Sequence, residues 1–520
     1  MSSKTKRRPI EVNLEELDQI LDRTSSGPLS EAERQKLRVA IHAMAGRLTP
    51  KRNTEKTKAV LEGRVAETRP LAEKSVANEE ETMKPGGHGR NGAAAFVGAS
   101  RVTISHATLQ PGQGCPECGE GKVYRQKDPA TLVRIVGQAP LQTTVFEMER
   151  LRCNACGQVF TATAPEAAGN QKYDATAIAM IALLKYGTGV PFKRLERLES
   201  QLAMPLPAAT QWELMAAAAK VFWPVLQALI WFAAQGGVMH NDDTGMRILR
   251  LTREPSDKRT GIFTSGIVSI VAAHKIALFF TGPKHAGENI AEVLKLRARE
   301  LPPPIQMCDA LSRNSPKPAG VTTLLANCMA HGRRQIVEVA ENFPEESRHV
   351  LQNLASVYHN DALAREQKLS PEDRLRFHQE RSGPIMQELQ QWMKAQIAEH
   401  RVEPNSGLGK AFSYLLKHWK KLTLFLSQPG APLDNNVVER ALKKAILNRR
   451  NALFYKTING AAVGDLFMSL IHTCELNEVN PFDYLTELLR HVEELQQQPS
   501  AWLPWNYRET LMPLTTPTAA

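Results

Sequence analysis

Hydrophobic positions recur along this chain in two periods, and the change of period divides it. In residues 1–48, Leu14, Leu17, Ile20 and Leu21 mark one helical stripe and Leu37, Ile41, Met44 and Leu48 a second, with Ser30 and Glu33 spaced as a capping box. A helical element is expected there. Residues 49–100 are rich in Lys, Glu, Thr, Gly and Ala and poor in large apolar groups, the composition of a linker. In 101–164, apolar and polar residues alternate through Leu132, Val133, Ile135, Val136, Val145, Phe146 and Leu151, as in short antiparallel strands. The period is helical again over 165–236. There Pro191–Leu198 and a helix from about Ala209, parted by Met204-Pro205-Leu206-Pro207, form a helix-turn-helix pattern. From Gly237 the runs turn β-branched: Val238–Leu251, Gly261–Ala272 and Lys275–Thr281, then a helix from Ala286 to Arg299 and a strand ending at Asp309.

Three strands, a helix and a further strand open a ribonuclease-H-like fold. Residues 237–490 are read as that domain, with the charged helical stretch of about 320–425 as an insertion and 491–520 as a tail. The expected class is therefore multidomain α+β. A chain of 520 residues suits about three or four units. Val221–Val238 is the longest apolar stretch, but Pro224, Gln227 and two glycines interrupt it, so it is expected as a buried helix and no membrane as a partner. The start, with Lys4, Lys6, Arg7 and Arg8, carries no apolar signal segment. A cytoplasmic, nucleoid-associated location is expected.

The net charge of +11 favours an anionic partner, nucleic acid before membrane surface. Arg90 in a glycine-rich stretch, Arg333 and Arg334 on one helix, and Arg440, Lys443, Lys444, Arg449 and Arg450 on another are the candidate DNA contacts, with Phe454 and Tyr455 interleaved. Four of the seven cysteines form two Cys-x-x-Cys pairs, Cys115 with Cys118 and Cys153 with Cys156. Four thiolates at that spacing suit a closed, structural Zn²⁺ site, which organises a ribbon and does no catalysis.

Asp242 and Asp309 close expected strands, and Glu439 stands near the start of the basic helix. Such a carboxylate trio can hold two Mg²⁺ (or Mn²⁺) ions for phosphodiester chemistry. Asp242 and Asp243 are adjacent and point to opposite faces of a strand, so only one of them can be a ligand there. Asn435, Glu439 and Lys443 share one helix face beside the core stripe of Val438, Leu442 and Ala445. Cys328 and His331, three apart, have the spacing of a metal pair, but with no further ligand apparent in the sequence a packed cysteine and a hydrogen-bonded histidine are expected.

These residues resemble the insertion-sequence 66 family of transposases, whose members carry an Asp-Asp-Glu trio. The resemblance runs from about His88 to Tyr484. It rests on the four-cysteine region, Asp242-Asp243-Thr244, Cys328-x-Ala330-His331-x-Arg333-Arg334, Leu433-Asp434-Asn435-Asn436-x-x-Glu439-Arg440-Ala441-Leu442 and Arg449-Arg450-Asn451-x-Leu453-Phe454. Two positions depart from the pattern: Asp243 stands where many relatives have Glu, and Ala310-Leu311 follows Asp309 where many have Gly-Tyr. The resemblance implies cutting and joining at the terminal repeats of a mobile element, on double-stranded DNA of the ends and the target. It also implies a homo-oligomer holding two ends and accessory proteins of the same element. The competing readings are a zinc-containing DNA-binding regulator whose catalytic fold has decayed, and a ribonuclease-H-type nuclease that cleaves without joining.

Overall fold

The computed structural model describes residues 93–95 and 101–515, apart from 127–129, 133, 135–137, 155, 157, 170, 252–258 and 316–321. The expected N-terminal helices, the linker with Arg90 and the end of the tail lie outside the described residues. Strands β1 (Arg150–Arg152) and β2 (Val159–Thr161) pair as an antiparallel hairpin. Helices α1 (Ala175–Ala182), α2 (Phe192–Gln201) and α3 (Ala208–Ala234) follow, with a π-helical turn, Leu183–Gly187, after α1. Next come β3 (Val238–Gly245), β4 (Ile248–Arg250), β5 (Phe263–Val271), β6 (His274–Gly282), α4 (Ala286–Leu294), β7 (Ile305–Cys308) and β8 (Leu324–Asn327). Five helices come after them: α5 (Met329–Val337), α6 (Pro344–Glu366), α7 (Pro371–Arg381), α8 (Gly383–Ala398) and α9 (Gly407–Leu422). The chain closes with α10 (Asn436–Ala452), β9 (Tyr455–Thr457), α11 (Ile458–Leu476), α12 (Pro481–Arg490), α13 (Val492–Gln497) and α14 (Tyr507–Thr515). The class is mixed α+β, and the β-branched runs of the sequence became β3, β5 and β6.

Two compact units divide the described chain: 303–315 with 322–436, and the remainder. In the first, β7 and β8 pair in parallel, Cys308 opposite Asn327. Helices α5–α9 make up the rest of it. Asp361 on α6 is the buried hub of their polar contacts, meeting Arg374 at 2.6 Å, Arg365 at 3.2 Å and His378 at 3.3 Å. Burial pushes its carboxyl up, but the His378 hydrogen bond and the Arg374 charge outweigh this and hold it below the usual carboxylate range.

In the second unit, β3, β5 and β6 form an antiparallel run with Asp242 opposite Gly266 and Gly266 opposite Phe279. Helix α3 is long and apolar enough to cross a membrane by length and composition. Here it is a core helix: Met215, Phe222, Val225 and Leu229 are wholly buried, and the Phe222 ring meets Phe467 of α11 edge to face at 5.8 Å. The break expected between two short helices lies at 202–207, between α2 and α3, and α3 is committed to the core.

Helix α11 seals the exposed edge of β6. Asp465, Ser469 and Thr473 recur every fourth residue on one face of α11, and Asn477, just past its end, continues the spacing. Asp465 accepts the Thr281 N–H at 2.6 Å, Ser469 that of Phe279 at 3.0 Å, Thr473 that of Ala277 at 3.1 Å, and Asn477 that of Lys275 at 3.2 Å. Thr473 and Asn477 also donate to the Ala277 and Lys275 carbonyls. Four helical residues rise about 6 Å and two strand residues about 6.6 Å, so the two repeats stay in step. The unpaired backbone groups of an edge strand are thereby satisfied by side chains. Thr473→Val keeps the shape and removes both bonds, so it should lower unfolding free energy by about 1–3 kcal/mol in urea titration, through the Ala277 groups left bare.

Asp465 is the costly rung. Burial pushes its carboxyl up to about 7, against the hydrogen bonds from Thr281 that pull it down. Between the ordinary carboxylate range and about 7, the folded protein keeps a proton that the unfolded chain has lost. This group's contribution to stability therefore falls as pH rises through that window, and the fall is complete above it. Asp465→Asn should become more stable relative to wild type as pH goes from 5 to 8, measured by denaturant unfolding across that range. A stability difference that does not change with pH would contradict the assignment.

Candidate active site

Alternation along β3 sends its two aspartates to opposite faces. Asp243, with its side chain almost fully buried, reaches the start of α4: its Oδ2 lies 2.7 Å from His285 Nδ1 and accepts from Ala286 N at 3.4 Å. Ser265, its partner across the ladder, accepts a hydrogen bond from Asn289 of the same helix at 2.8 Å. The carboxylate thus sits at a helix N-terminus, where the peptide dipoles favour negative charge. His285 and Glu288 complete a capping box, with Glu288 accepting the His285 N–H at 2.9 Å. Asp243 thus serves the start of helix α4.

Asp242 faces the other way. Directly opposed residues of an antiparallel pair project to the same side, and opposite Asp242 is Gly266. A Cβ on Gly266 would stand 3.0 Å from Leu442 and 3.2 Å from Val438, both on α10. Asp242 therefore lies on the face covered by the helix that carries Glu439. Its Oδ1 accepts the Asp243 N–H at 2.8 Å.

Three stripes divide the surface of helix α10, and two of them seat it. Val438, Ala441, Leu442 and Ala445 are buried. At its far end Arg449 donates to Thr244 Oγ1 at 3.0 Å and to the Gly245 carbonyl, tying the helix to the end of β3. Just beyond, Tyr455 N donates to the Arg247 carbonyl at 2.9 Å, and β9 pairs in parallel with β4. A second stripe, Lys444, Asn448 and Asn451, bonds to the 185–189 turn at Gly187 O, Lys185 and Gly189 O. The third, Arg440, Lys443, Leu447 and Arg450, is exposed.

This arrangement sorts the expected DNA contacts. Arg440, Lys443 and Arg450 present their charge to solvent. Lys444 is turned inward, 2.5 Å from Glu475, and Arg449 is half-buried on β3. Those two cations have protein partners because their positions fall on the stripes that pack. Tyr455 was expected beside DNA but is buried, since strand alternation in β9 turns it inward, and Phe454 is the more exposed ring. Burial pushes the Tyr455 hydroxyl well above its usual range.

In the other unit, Asp309 is buried just past β7. Its Oδ1 accepts Leu311 N at 3.1 Å and Asn314 Nδ2 at 2.6 Å, and Asn327 donates to its carbonyl at 3.2 Å. Cys328, just past β8, is fully buried, and its sulfur accepts the Asn435 N–H at 3.2 Å. Arg333 and Arg334 are half-buried on α5.

The cysteine pairs stand in two tight turns. Cys115 N donates to Gly121 O at 2.7 Å and Gly119 N to Cys115 O at 2.9 Å. The backbone amides of Gly121 and Glu120, then the Cys115 side chain, hold the Cys118 thiol below its usual range. Cys153 and Cys156 occupy the β1–β2 turn, closed by Cys153 N on Gln158 O at 2.9 Å. Such turns suit thiolate donors. Among the described residues, no three of these sulfurs lie within 4.8 Å of one another.

The seating of α10 depends on the bare Gly266. Gly266→Ala should displace the helix and cost about 1–3 kcal/mol of stability by overpacking. Leu442→Ala in the same chain should restore part of that loss, because the two sites share one contact. Additive losses in the double variant, by thermal unfolding, would show that the contact is not the cause.

The chain is similar to proteins of Sinorhizobium fredii. It is 26% identical over 440 residues to "Uncharacterized protein y4jD" of Sinorhizobium fredii (strain NBRC 101917 / NGR234), spanning 81% of this chain and 84% of that one. It is 24% identical over 434 residues to y4hP of the same organism, spanning 78% and 76%. The family model described as "Transposase IS66 family" matches residues 171–463, a stretch that takes in β3, Asp309 and α10. That match covers more than half of the 520 residues, and the chain belongs to the IS66 family of transposases.

Proposed function

We propose that this protein is a DDE-type DNA transposase, with Asp242, Asp309 and Glu439 as its metal-holding carboxylates. The observation that carries the reading is the sorting of β3: Asp242 shares a sheet face with the helix of Glu439, while Asp243 is engaged by α4. An all-oxygen donor set of carboxylates fits Mg²⁺ or Mn²⁺. When bound, such ions activate the attacking water or 3′-hydroxyl and stabilise the leaving oxygen. The chain's own part is to hold each carboxylate in place. Asp309 is held by Leu311 N and Asn314, and Asp242 by the Asp243 amide. The fold that this reading assigns to 237–490 is ribonuclease-H-like with a helical insertion of about 320–425.

Arg440, Lys443 and Arg450 line the exposed side of α10, where they can neutralise phosphates flanking the scissile bond. Residues 101–164 act as a ribbon closed by structural Zn²⁺ on Cys115, Cys118, Cys153 and Cys156, which with the N-terminal segments and the α2–α3 region recognises the element's ends. Two ends would be held by a homo-oligomer, with accessory proteins of the same element assisting.

The test is a substitution series on DNA carrying the element's ends. Asp242→Asn, Asp309→Asn and Glu439→Gln should each reduce Mg²⁺-dependent nicking by roughly a hundredfold or more while DNA affinity stays near wild type. Asp243→Asn should keep nicking and lower stability instead, through the weakened start of α4. Nicking retained in Asp242→Asn and lost in Asp243→Asn would reverse the assignment. Binding without nicking in every protein, wild type included, would favour a decayed regulator.

A further inference from the structure

Lys185 is buried, and among the described residues it has no carboxylate as its acceptor. Its Nζ donates to Asn448 Oδ1 of α10 at 3.0 Å and stands over the rings of Phe192 and Tyr186 at 5.3 and 5.6 Å. Burial pushes its ammonium down to about 8. Taking an ammonium out of water without a counter-ion is costly, and a Met would fill this volume without that cost. Stability alone therefore gives no reason for a lysine here.

The turn that carries it is unusual as well. Leu183–Gly187 is a π-helical turn, which widens the backbone by one residue and rotates the following side chains relative to α1. Two further bonds join the same turn to the same stripe of α10. Lys444 donates to Gly187 O at 3.3 Å and Asn451 to Gly189 O at 3.1 Å. Gly189 has φ +77°, and a Cβ there would stand 3.0 Å from Leu447. Turn and helix thus meet at residues 444, 448 and 451, one face of α10 over two turns. Lys185 makes the middle bond. The ring behind it is fixed in turn, with Tyr186 stacked on Phe467 of α11 at 4.9 Å.

We propose that Lys185 is a positioning residue for the reaction, fixing the rotation and height of α10 through Asn448 and so the aim of Glu439. It touches neither DNA nor the carboxylates in this role. Opposite this bond, Arg449 ties only the far end of the helix to β3, and the contacts of Val438 and Leu442 at Gly266 are apolar and tolerate sliding. A directional bond from a charged donor does not. The inference rests on the reading of Glu439 as a catalytic carboxylate, since only then does the aim of α10 matter to a rate.

Lys185→Met, Asn448→Leu and the double variant of the full chain test it, with two readouts. The first is single-turnover nicking of element-end DNA at saturating DNA with Mg²⁺. The second is amide hydrogen exchange of peptides from α10, with α6 peptides as the internal control. Lys185→Met should melt at or above the wild-type temperature, bind DNA as wild type does and nick about tenfold or more slowly. Its α10 amides should exchange faster while α6 is unchanged. The double variant should nick no more slowly than either single variant, because both remove one bond. Wild-type nicking in Lys185→Met, or α10 exchange that does not change, overturns the proposal. If wild type itself does not nick, the catalytic reading fails by itself, and the exchange of α10 still decides whether Lys185 holds the helix.

Discussion

The close approach of α10 to β5 at Gly266 is the constraint from which the rest of the second unit follows. With no side chain at that point, Val438 and Leu442 settle directly on the strand. The helix is then near enough for Arg449 to reach Thr244 and for the chain to re-enter as β9 beside β4. Because Gly266 pairs with Asp242, the same contact decides which strand face the helix covers and which aspartate shares that face with Glu439. A methyl group's worth of space thus links packing to chemistry.

Two further devices hold the strands beneath that helix. Helix α11 satisfies the edge of β6 with a polar side chain on every fourth residue, so the sheet ends there rather than recruiting another strand. Helix α4 takes Asp243, whose carboxylate meets His285 Nδ1 at 2.7 Å and the Ala286 amide at 3.4 Å. The rungs differ in cost. Ser469 and Thr473 bring neutral hydroxyls, whereas Asp465 brings a carboxyl whose burial works against stability above neutral pH.

Much of this was legible in the sequence. The β-branched runs marked β3, β5 and β6, the helical period marked α3 and α10, and the motif around Glu439 pointed to the family that the comparison then showed. The core stripe Val438, Leu442 and Ala445 was readable from spacing alone. What was not legible depends on partners distant in sequence. Alternation says that Asp242 and Asp243 face apart, but only the register with Gly266 and the start of α4 says which way. Lys444 and Arg449 read as solvent-facing cations because nothing local announces Glu475 or Thr244. The π-helical turn leaves no periodic trace in five residues, so nothing local marks Lys185. The ladder of α11 does leave a trace in the sequence, since Asp465, Ser469, Thr473 and Asn477 follow a strict four-residue spacing.

The central claim is that β3 presents Asp242, and not Asp243, to the catalytic metal. Crystals of the protein soaked in Mn²⁺ and measured at the manganese absorption edge would test it most directly. The account predicts anomalous density against the Asp242 carboxylate on the α10 face, with Asp243 still bonded to His285. Density against Asp243 on the α4 face, with Asp242 clear of it, would contradict the account.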